Sequence, residues 1–393
     1  MLRSLTGLFQ AGLRSDLSVL AQKNLSRHLR IRPAREVDFA SNDCLGLSCH
    51  PAVLRAVQKA VAEWGAGSGA SRLLSGNLAI HEKLERALAV FKKEEAALIF
   101  SSGYQANLGA ITSLVDERDV VLVDRLNHAS LIDAVRLSGA KLWVYPHLEL
   151  DRLQELLKRA SSYRRRLVVT DAYFSMDGHI APLEQMLELC ESRDAILMVD
   201  EAHSTGVYGK TGRGLTEHLG LSGQIPVVMG TLSKALGSAG GYVAGSKALI
   251  QTLVNRAKSF IYTTAPVPAA SAAALASVQI LKKQGAAVGN GHARSLRGQL
   301  WDRVSQMRDG LSSLGLDLMG SEGPIIPIRV GDSTKTLRIQ KALERRGFYT
   351  AAIRPPTVPK GTDRIRLSVS AKHSKAEVES FLKELARIWK REK

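Results

Sequence analysis

Short, nearly continuous apolar runs recur through the middle of this chain, each closed by a polar or glycine-rich cluster. They are Ala97–Phe100, Val120–Val123, Leu142–Tyr145, Leu167–Thr170, Ile196–Val199, Val227–Met229 and Tyr242–Ala244. Runs this short and this apolar read as strands buried on both faces. Helical stretches at Gln105–Leu114, Ser130–Leu137, Leu150–Ala160 and Leu183–Ser192 separate most of them. The alternation predicts an α/β fold: a mostly parallel seven-stranded sheet with helices on both faces.

The flanks have a different character. Leu8, Leu13, Leu17, Leu20 and Leu25 recur at roughly helical spacing, so residues 1–45 are expected to form an N-terminal arm, with Arg27, Arg30, Arg32 and Arg35 near its end. Pro51–Trp64 predicts a helix with proline in its first turn, stopped by Gly65-Ala66-Gly67-Ser68-Gly69, and His81–Phe91 predicts a second. Residues 46–285 are assigned to a large α/β domain closed by an alanine-rich packing helix, Ala269–Leu281. Residues 286–393 are assigned to a smaller α+β domain. Its expected elements are a helix over 292–314, strands Ile325–Val330 and Ile365–Ser370, and helices Lys335–Arg346 and Lys375–Lys390.

Composition narrows the setting. The 393 residues carry 54 Lys plus Arg against 37 Asp plus Glu, a net charge of +17 spread along the chain rather than clustered. A solvated basic surface is expected, and a nucleic-acid partner is not. Cys44, Cys49 and Cys190 are too few and too scattered for a disulfide framework, which suits a reducing cytoplasm. Neither the arm, broken by Arg3, Arg14 and Asp16, nor the alanine-rich helix has the hydrophobicity of a leader or membrane span.

Chemistry concentrates where the strands end, since ligands of open α/β sheets sit outside the carboxyl ends of the strands. Ile196–Val199 runs into Asp200 and His203, and Val227–Met229 runs into Thr231, Ser233 and Lys234. An anion, a lysine and a hydroxyl at one rim are what a phosphorylated pyridine cofactor needs: a partner for its ring nitrogen, an imine-forming amine and a phosphate donor. The same letters also suggest a nucleotide motor, through Asp200-Glu201-Ala202-His203 and Gly209-Lys210-Thr211. However, Ser204 stands where a phosphate loop needs glycine, and Gly212 and Gly214 break any following helix. No metal is expected, because no two histidines have i, i+4 spacing and no cysteine joins them.

Other rim positions keep two readings each. Ser102-Gly103-Tyr104 opens a helix and is either an ordinary serine cap or a phosphate site. His128 stacks on a ring or is simply buried. Ser175 bonds a phenolic oxygen or marks a turn. Arg354, in Ile353-Arg354-Pro355-Pro356-Thr357-Val358-Pro359, is pre-aimed at a carboxylate or sits on a stiff loop.

Taken together these motifs resemble the α-oxoamine synthases, enzymes of the aminotransferase-like fold that depend on pyridoxal 5'-phosphate and join an amino acid to an acyl thioester with loss of carbon dioxide. The resemblance is carried by Ser41-Asn42-Asp43-Cys44-Leu45-Gly46-Leu47, Asn127-His128-Ala129-Ser130, Phe174-Ser175-Met176-Asp177-Gly178, Asp200-Glu201-Ala202-His203 and Gly230-Thr231-Leu232-Ser233-Lys234-Ala235. Cys44 replaces the family's tyrosine. Gly69-Ala70-Ser71-Arg72-Leu73 and the Arg354-Pro355-Pro356 turn are most similar to the biotin-synthesis branch, which uses L-alanine and a pimeloyl thioester on coenzyme A or a carrier protein. The resemblance implies Lys234, His128, Asp200 and His203 as the catalytic set. It implies Ser102, Gly103, Tyr104, His128, Ser175, Asp200, His203, Thr231 and Lys234 as cofactor-binding residues. Arg27, Asn42, His128, Arg354 and Thr357 are implied as substrate contacts. A homodimer is implied too, with Thr263 or Thr264 reaching the other subunit's phosphate.

Overall fold

The computed structural model describes residues 5–22, 25–27, 29–31, 35–286 and 295–392. In chain order its strands are β1 (Val37–Asp38), β2 (Ala96–Phe100), β3 (Val120–Asp124), β4 (Lys141–Tyr145), β5 (Arg166–Asp171), β6 (Ile196–Asp200), β7 (Val227–Thr231), β8 (Gly241–Gly245), β9 (Ile325–Arg329), β10 (Phe348–Tyr349), β11 (Ala351–Ile353) and β12 (Arg364–Ser368).

All seven apolar runs enter one sheet, in the order β2-β8-β7-β6-β5-β3-β4. Only β8 runs antiparallel, to β2 on one side and β7 on the other. The runs are apolar throughout because successive residues face different layers. Leu122, Val168, Leu197 and Val228 pack into one core. Val121, Val169, Met198 and Val227 pack into a second core on the opposite face. Each fully buried Val or Leu contributes about 1.5–3 kcal/mol, so a sheet covered on both sides is a stiff platform.

Five early helices set the surroundings: α1 (Leu5–Gln22), α2 (Pro51–Trp64), α3 (Ala79–Lys92), α4 (Gly103–Leu114) and α5 (Ala129–Ser138). The His50 imidazole caps α2, with Pro51 inside the first turn, and the Ser102 hydroxyl caps α4 by accepting from the Gln105 N–H. Gly139, at a φ of 79°, ends α5 in the left-handed conformation.

A second sheet, β11-β12-β9, is antiparallel and lies in the C-terminal third. The arm does not stand apart from this third of the chain, since β1 pairs in parallel with β10 in a separate two-stranded sheet. The helix expected over 292–314 is observed from Leu296 to Ser313, its expected first residues (292–294) lying outside the described residues, as does Arg32. Two helices that periodicity did not suggest, Lys247–Arg256 and Lys258–Ile261, follow β8.

Candidate cofactor and substrate site

Asp200 is the last residue of β6 and Lys234 follows β7, the adjacent parallel strand, by one tight turn. The two side chains therefore reach the same rim, close enough for Asp200 to act on the Lys234 charge. The Lys234 carbonyl accepts from the Gly237 N–H at 2.9 Å, while its side-chain amine makes no hydrogen bond among the described residues. Burial lowers its pKa to about 8, helped by Arg366 and opposed by Asp200 and Asp171. An amine at this value is about one-fifth neutral near physiological pH, far more than an ordinary lysine, and that fraction can act as a nucleophile or base.

Lys234, Asn42, Cys44, His203 and Ser368 line one cleft. Burial, then the Lys234 and Arg366 charges, push the His203 pKa well below its ordinary value, so the imidazole is neutral. The thiol of Cys44 is pushed up to about 12 by burial and by Asp43, leaving it an unreactive small group where the family places tyrosine.

The opposite wall comes from α4 and α5. His128 caps α5; its backbone N–H donates to Asp171 Oδ2 at 2.8 Å, and its Nδ1 lies 2.7 Å from Ser130 Oγ. Burial holds its pKa below the ordinary value, with Asp200 pulling up and Lys234 pushing down. Asp200 accepts from the Ala202 N–H through Oδ1 and from Asn107 Nδ2 through Oδ2, each at 2.8 Å. The neighbouring Asp171 carboxyl has a pKa raised well above the usual range, by burial and then by Asp200, so the two are not both ionised.

The first turn of α4 forms a backbone cradle. A Cβ on Gly241 would lie 2.6 Å from the Gly103 Cα and 2.8 Å from both the Gly103 nitrogen and the Ser102 oxygen. A Cβ on Gly103 would lie 3.5 Å from Thr231 Oγ1. Glycines here let the helix N-terminus approach the end of β7, and free N–H groups at such a terminus favour a phosphate. The Thr231 hydroxyl donates to the Gly240 carbonyl at 2.9 Å and lies 2.8 Å from Ser233 Oγ, which is exposed. Ser233 is thus positioned beside the hydroxyl picked out from sequence. Tyr104 contributes backbone to the turn while its phenol turns away to Asp133 at 2.8 Å.

The C-terminal sheet closes the cleft with residues that no motif announced. Arg366 on β12 is 4% exposed; it donates to the Ser175 carbonyl at 2.6 Å and to Asn42 Oδ1 at 3.0 Å. Burial lowers its pKa to about 10. Arg364, two residues earlier and so on the same face of the strand, pairs with Asp177 at 2.6 Å. Together they clamp the turn that carries Ser175.

Arg27, Arg354 and Thr357 come together in a second cleft, one strand removed. Arg27 Nη2 donates to Thr357 Oγ1 at 3.0 Å, and β11, which lines this cleft, pairs Ala351 with Arg366 of β12. Thr264 lies against the turn that precedes α4 in the same chain, its carbonyl accepting from Ser101 Oγ at 3.2 Å.

Comparison with known proteins agrees with this geometry. Residues 34–385 match the family described as aminotransferase class I and II. The chain is 48% identical over 351 residues to an 8-amino-7-oxononanoate synthase from Cellvibrio japonicus, covering 89% of this chain and 86% of that protein. Among solved structures it resembles a serine palmitoyltransferase from S. paucimobilis holding PLP and myriocin, with a TM-score of 0.89, 28% identity and 99% of both chains covered. It also resembles an 8-amino-7-oxononanoate synthase from Francisella tularensis, with a TM-score of 0.77, 27% identity, and 92% of this chain and 99% of that one covered. An anion, a depressed lysine and a helix-terminal cradle at one rim fit pyridoxal phosphate, and the chain belongs to the α-oxoamine synthases of the aminotransferase class I and II family, whose cofactor it is.

Proposed function

We propose that the protein condenses L-alanine with a pimeloyl thioester, on coenzyme A or a carrier protein, giving 8-amino-7-oxononanoate, carbon dioxide and the free thiol carrier. The observation that carries this reading is the Arg27–Thr357 hydrogen bond. It sets a guanidinium and a proline-locked turn along a cleft one strand away from Lys234, suited to a long acyl chain with a distal polar group. The name of the Cellvibrio japonicus relative supports the same substrates.

Pyridoxal phosphate, when bound, supplies a protonated ring that drains negative charge from the amino acid's Cα. The side chains do the rest. Asp200 is the anion that keeps the ring nitrogen protonated. The α4 turn at Ser102, Gly103 and Tyr104 holds the phosphate, with Thr231 and Ser233. His128 would cover the bound ring, and Ser175 and His203 would hold its phenolic oxygen. Asn42, fixed by Arg366, and Arg354 orient substrate carboxylate, Arg354 from the second cleft, where Thr357 and Arg27 receive the acyl chain. Lys234, held near pH 8 by burial, removes the Cα proton and returns one after carbon dioxide leaves.

The site is proposed to lie at the interface of a homodimer, with Thr263 or Thr264 near the partner's phosphate turn. The apolar face of α1 (Leu8, Leu13 and Leu17) and Leu74 and Tyr262 stand exposed on the single chain, which supports a covered surface. A cytoplasmic setting is proposed from the three free cysteines. No helix among the described residues is long and apolar enough to cross a membrane. The proposed division is an arm (1–45), a cofactor-binding unit (46–285) and a C-terminal unit (286–393), and Val37–Asp38 of the arm pairs with β10 of the last of these.

The TM-score of 0.89 to serine palmitoyltransferase favours a second reading, a sister synthase using serine or glycine and another acyl-CoA. Mass spectrometry of products from each amino acid paired with pimeloyl-CoA, acetyl-CoA or palmitoyl-CoA separates the two. Product formation confined to alanine and pimeloyl-CoA supports the first reading; turnover of serine or glycine with another acyl-CoA and none of alanine overturns it.

A further inference from the structure

Asn107 is a polar side chain inside α4, 1% exposed, and no step above uses it. Its amide nitrogen donates to Asp200 Oδ2 at 2.8 Å and to Ser130 Oγ at 2.9 Å, while its Oδ1 is buried with no hydrogen-bond partner. The carboxylate fixes this orientation. Turned over, the amide would set its oxygen against Asp200 and leave both hydrogens where Oδ1 now has no partner. Leaving Oδ1 without a donor costs less than two buried, unpaired N–H groups and a carboxylate facing an oxygen would cost.

The consequence runs one residue further. A serine hydroxyl has a single hydrogen. Since Ser130 Oγ accepts from Asn107, that hydrogen is available to His128 Nδ1, 2.7 Å away. The Ser130 N–H also points at His128 Nδ1, at 3.3 Å. A ring nitrogen that accepts carries no proton, so His128 is neutral with its hydrogen on Nε2.

We infer that Asn107 is a positioning residue that couples the two walls of the cofactor site, orienting the Asp200 carboxylate directly and setting the His128 tautomer through Ser130. The inference rests on the proposed placing of Asp200 and His128 against the cofactor. It gives α4 two tasks, because its first turn is the phosphate cradle and its second turn carries Asn107. At about 1.5 Å of rise per residue, one rigid helix fixes the separation of the two anchors.

The test uses holoenzyme with 15N-labelled histidine, in wild type, Asn107→Leu and Ser130→Ala. Nuclear magnetic resonance reads the His128 tautomer, and dilution into a cofactor scavenger reads the rate of cofactor loss. Wild type should show a protonated Nε2 and a bare Nδ1. Ser130→Ala should give a mixture of tautomers with cofactor loss changed by less than about twofold, since the Asp200 bond survives. Asn107→Leu should give the same mixture and speed cofactor loss by about tenfold or more, as expected on losing a hydrogen bond to a charged group. A wild-type tautomer in Asn107→Leu, or equal cofactor loss from Ser130→Ala and Asn107→Leu, overturns the inference. If Asn107→Leu does not fold, Asn107→Ser, which has one hydrogen to give, must change at least one of the two readouts or the inference is overturned. Cofactor attached at a lysine other than Lys234 in wild type would overturn the functional reading instead, whatever the histidine signals show.

Discussion

Lys92→Met is the substitution whose cost can be worked most fully from the structure. Lys92 ends α3 and its ammonium pairs with Glu201, directly behind Asp200, with both side chains fully buried. The same ammonium also donates to the Arg213 carbonyl, so the pair pins the loop that follows Asp200 and carries His203. Removing one partner of a buried ion pair costs about 3–5 kcal/mol, because the other charge is left without water. Glu201 retains the Thr216 N–H at 2.9 Å, Ser204 Oγ at 3.1 Å and Thr216 Oγ1 at 3.2 Å, which places the cost toward the lower end. Unfolding entropy of about 2.1 cal/mol/K per residue gives ~0.8 kcal/mol/K for 393 residues, so the melting temperature should fall by about 4–6 °C.

Calorimetric melting at neutral pH is the assay. Adding Glu201→Gln to Lys92→Met should recover at least half of the loss, since a neutral amide still accepts from Thr216 while no longer burying a charge. The pH dependence has a definite sign. Burial alone would lower the Lys92 pKa, but the adjacent Glu201 carboxylate more than reverses this and leaves it raised. A cation with a raised folded pKa stabilises fully below the ordinary value of 10.5, and that contribution is lost as pH rises through the folded value. The gap between wild type and Lys92→Met should therefore stay constant around neutrality and narrow only above about pH 10.5. A variant melting within 1 °C of wild type, on the scale of about 4–6 °C set above, would refute the reasoning.

Three further outcomes follow from the same geometry. Gly241→Ala drives a methyl into the Gly103 backbone, so it should destabilise the fold by about 1–3 kcal/mol and weaken cofactor binding, measured by melting and by cofactor titration. Cofactor capture by the stripped protein should rise with pH and level off above about 8, where Lys234 is mostly free amine; a flat profile from pH 6 to 9 would contradict the assignment. Arg366→Met frees Asn42 and the Ser175 carbonyl, so kcat/KM for the amino acid should fall roughly 10- to 100-fold, the range for hydrogen bonds to a charged group, read in steady-state kinetics.

Much of this architecture was legible in the residues, and the exceptions share a cause. Strands buried on both faces advertise themselves as unbroken apolar runs, and all seven were read to within two residues. The antiparallel course of β8 was not, because Tyr242–Ala244 is as apolar as its parallel neighbours and carries no mark of direction. Lys247–Arg256 was missed because it mixes apolar and charged residues without a clean stripe. Within the candidate site, motifs pointed to Asp200, Lys234 and His128 because each stands at or just past a strand end.

Arg366 escaped because Arg364, Ile365, Arg366 and Leu367 alternate as a half-exposed strand does, a pattern in which arginines ordinarily face solvent. The fold turns that face inward, onto Ser175 and Asp177. Asn107 escaped because nothing in a helical asparagine between Ala106 and Leu108 reports that a carboxylate 93 positions later will meet it. Buried polar partners distant in sequence are decided by topology, not by local pattern.

Reduction of the holoenzyme with borohydride, followed by peptide mapping, tests the central claim most directly, because it fixes the cofactor to whichever amine holds it. The expected result is cofactor mass on the peptide containing Lys234, and loss of that label in Lys234→Ala with the melting curve retained. A label on any other lysine, or an undiminished label in Lys234→Ala, would contradict the account.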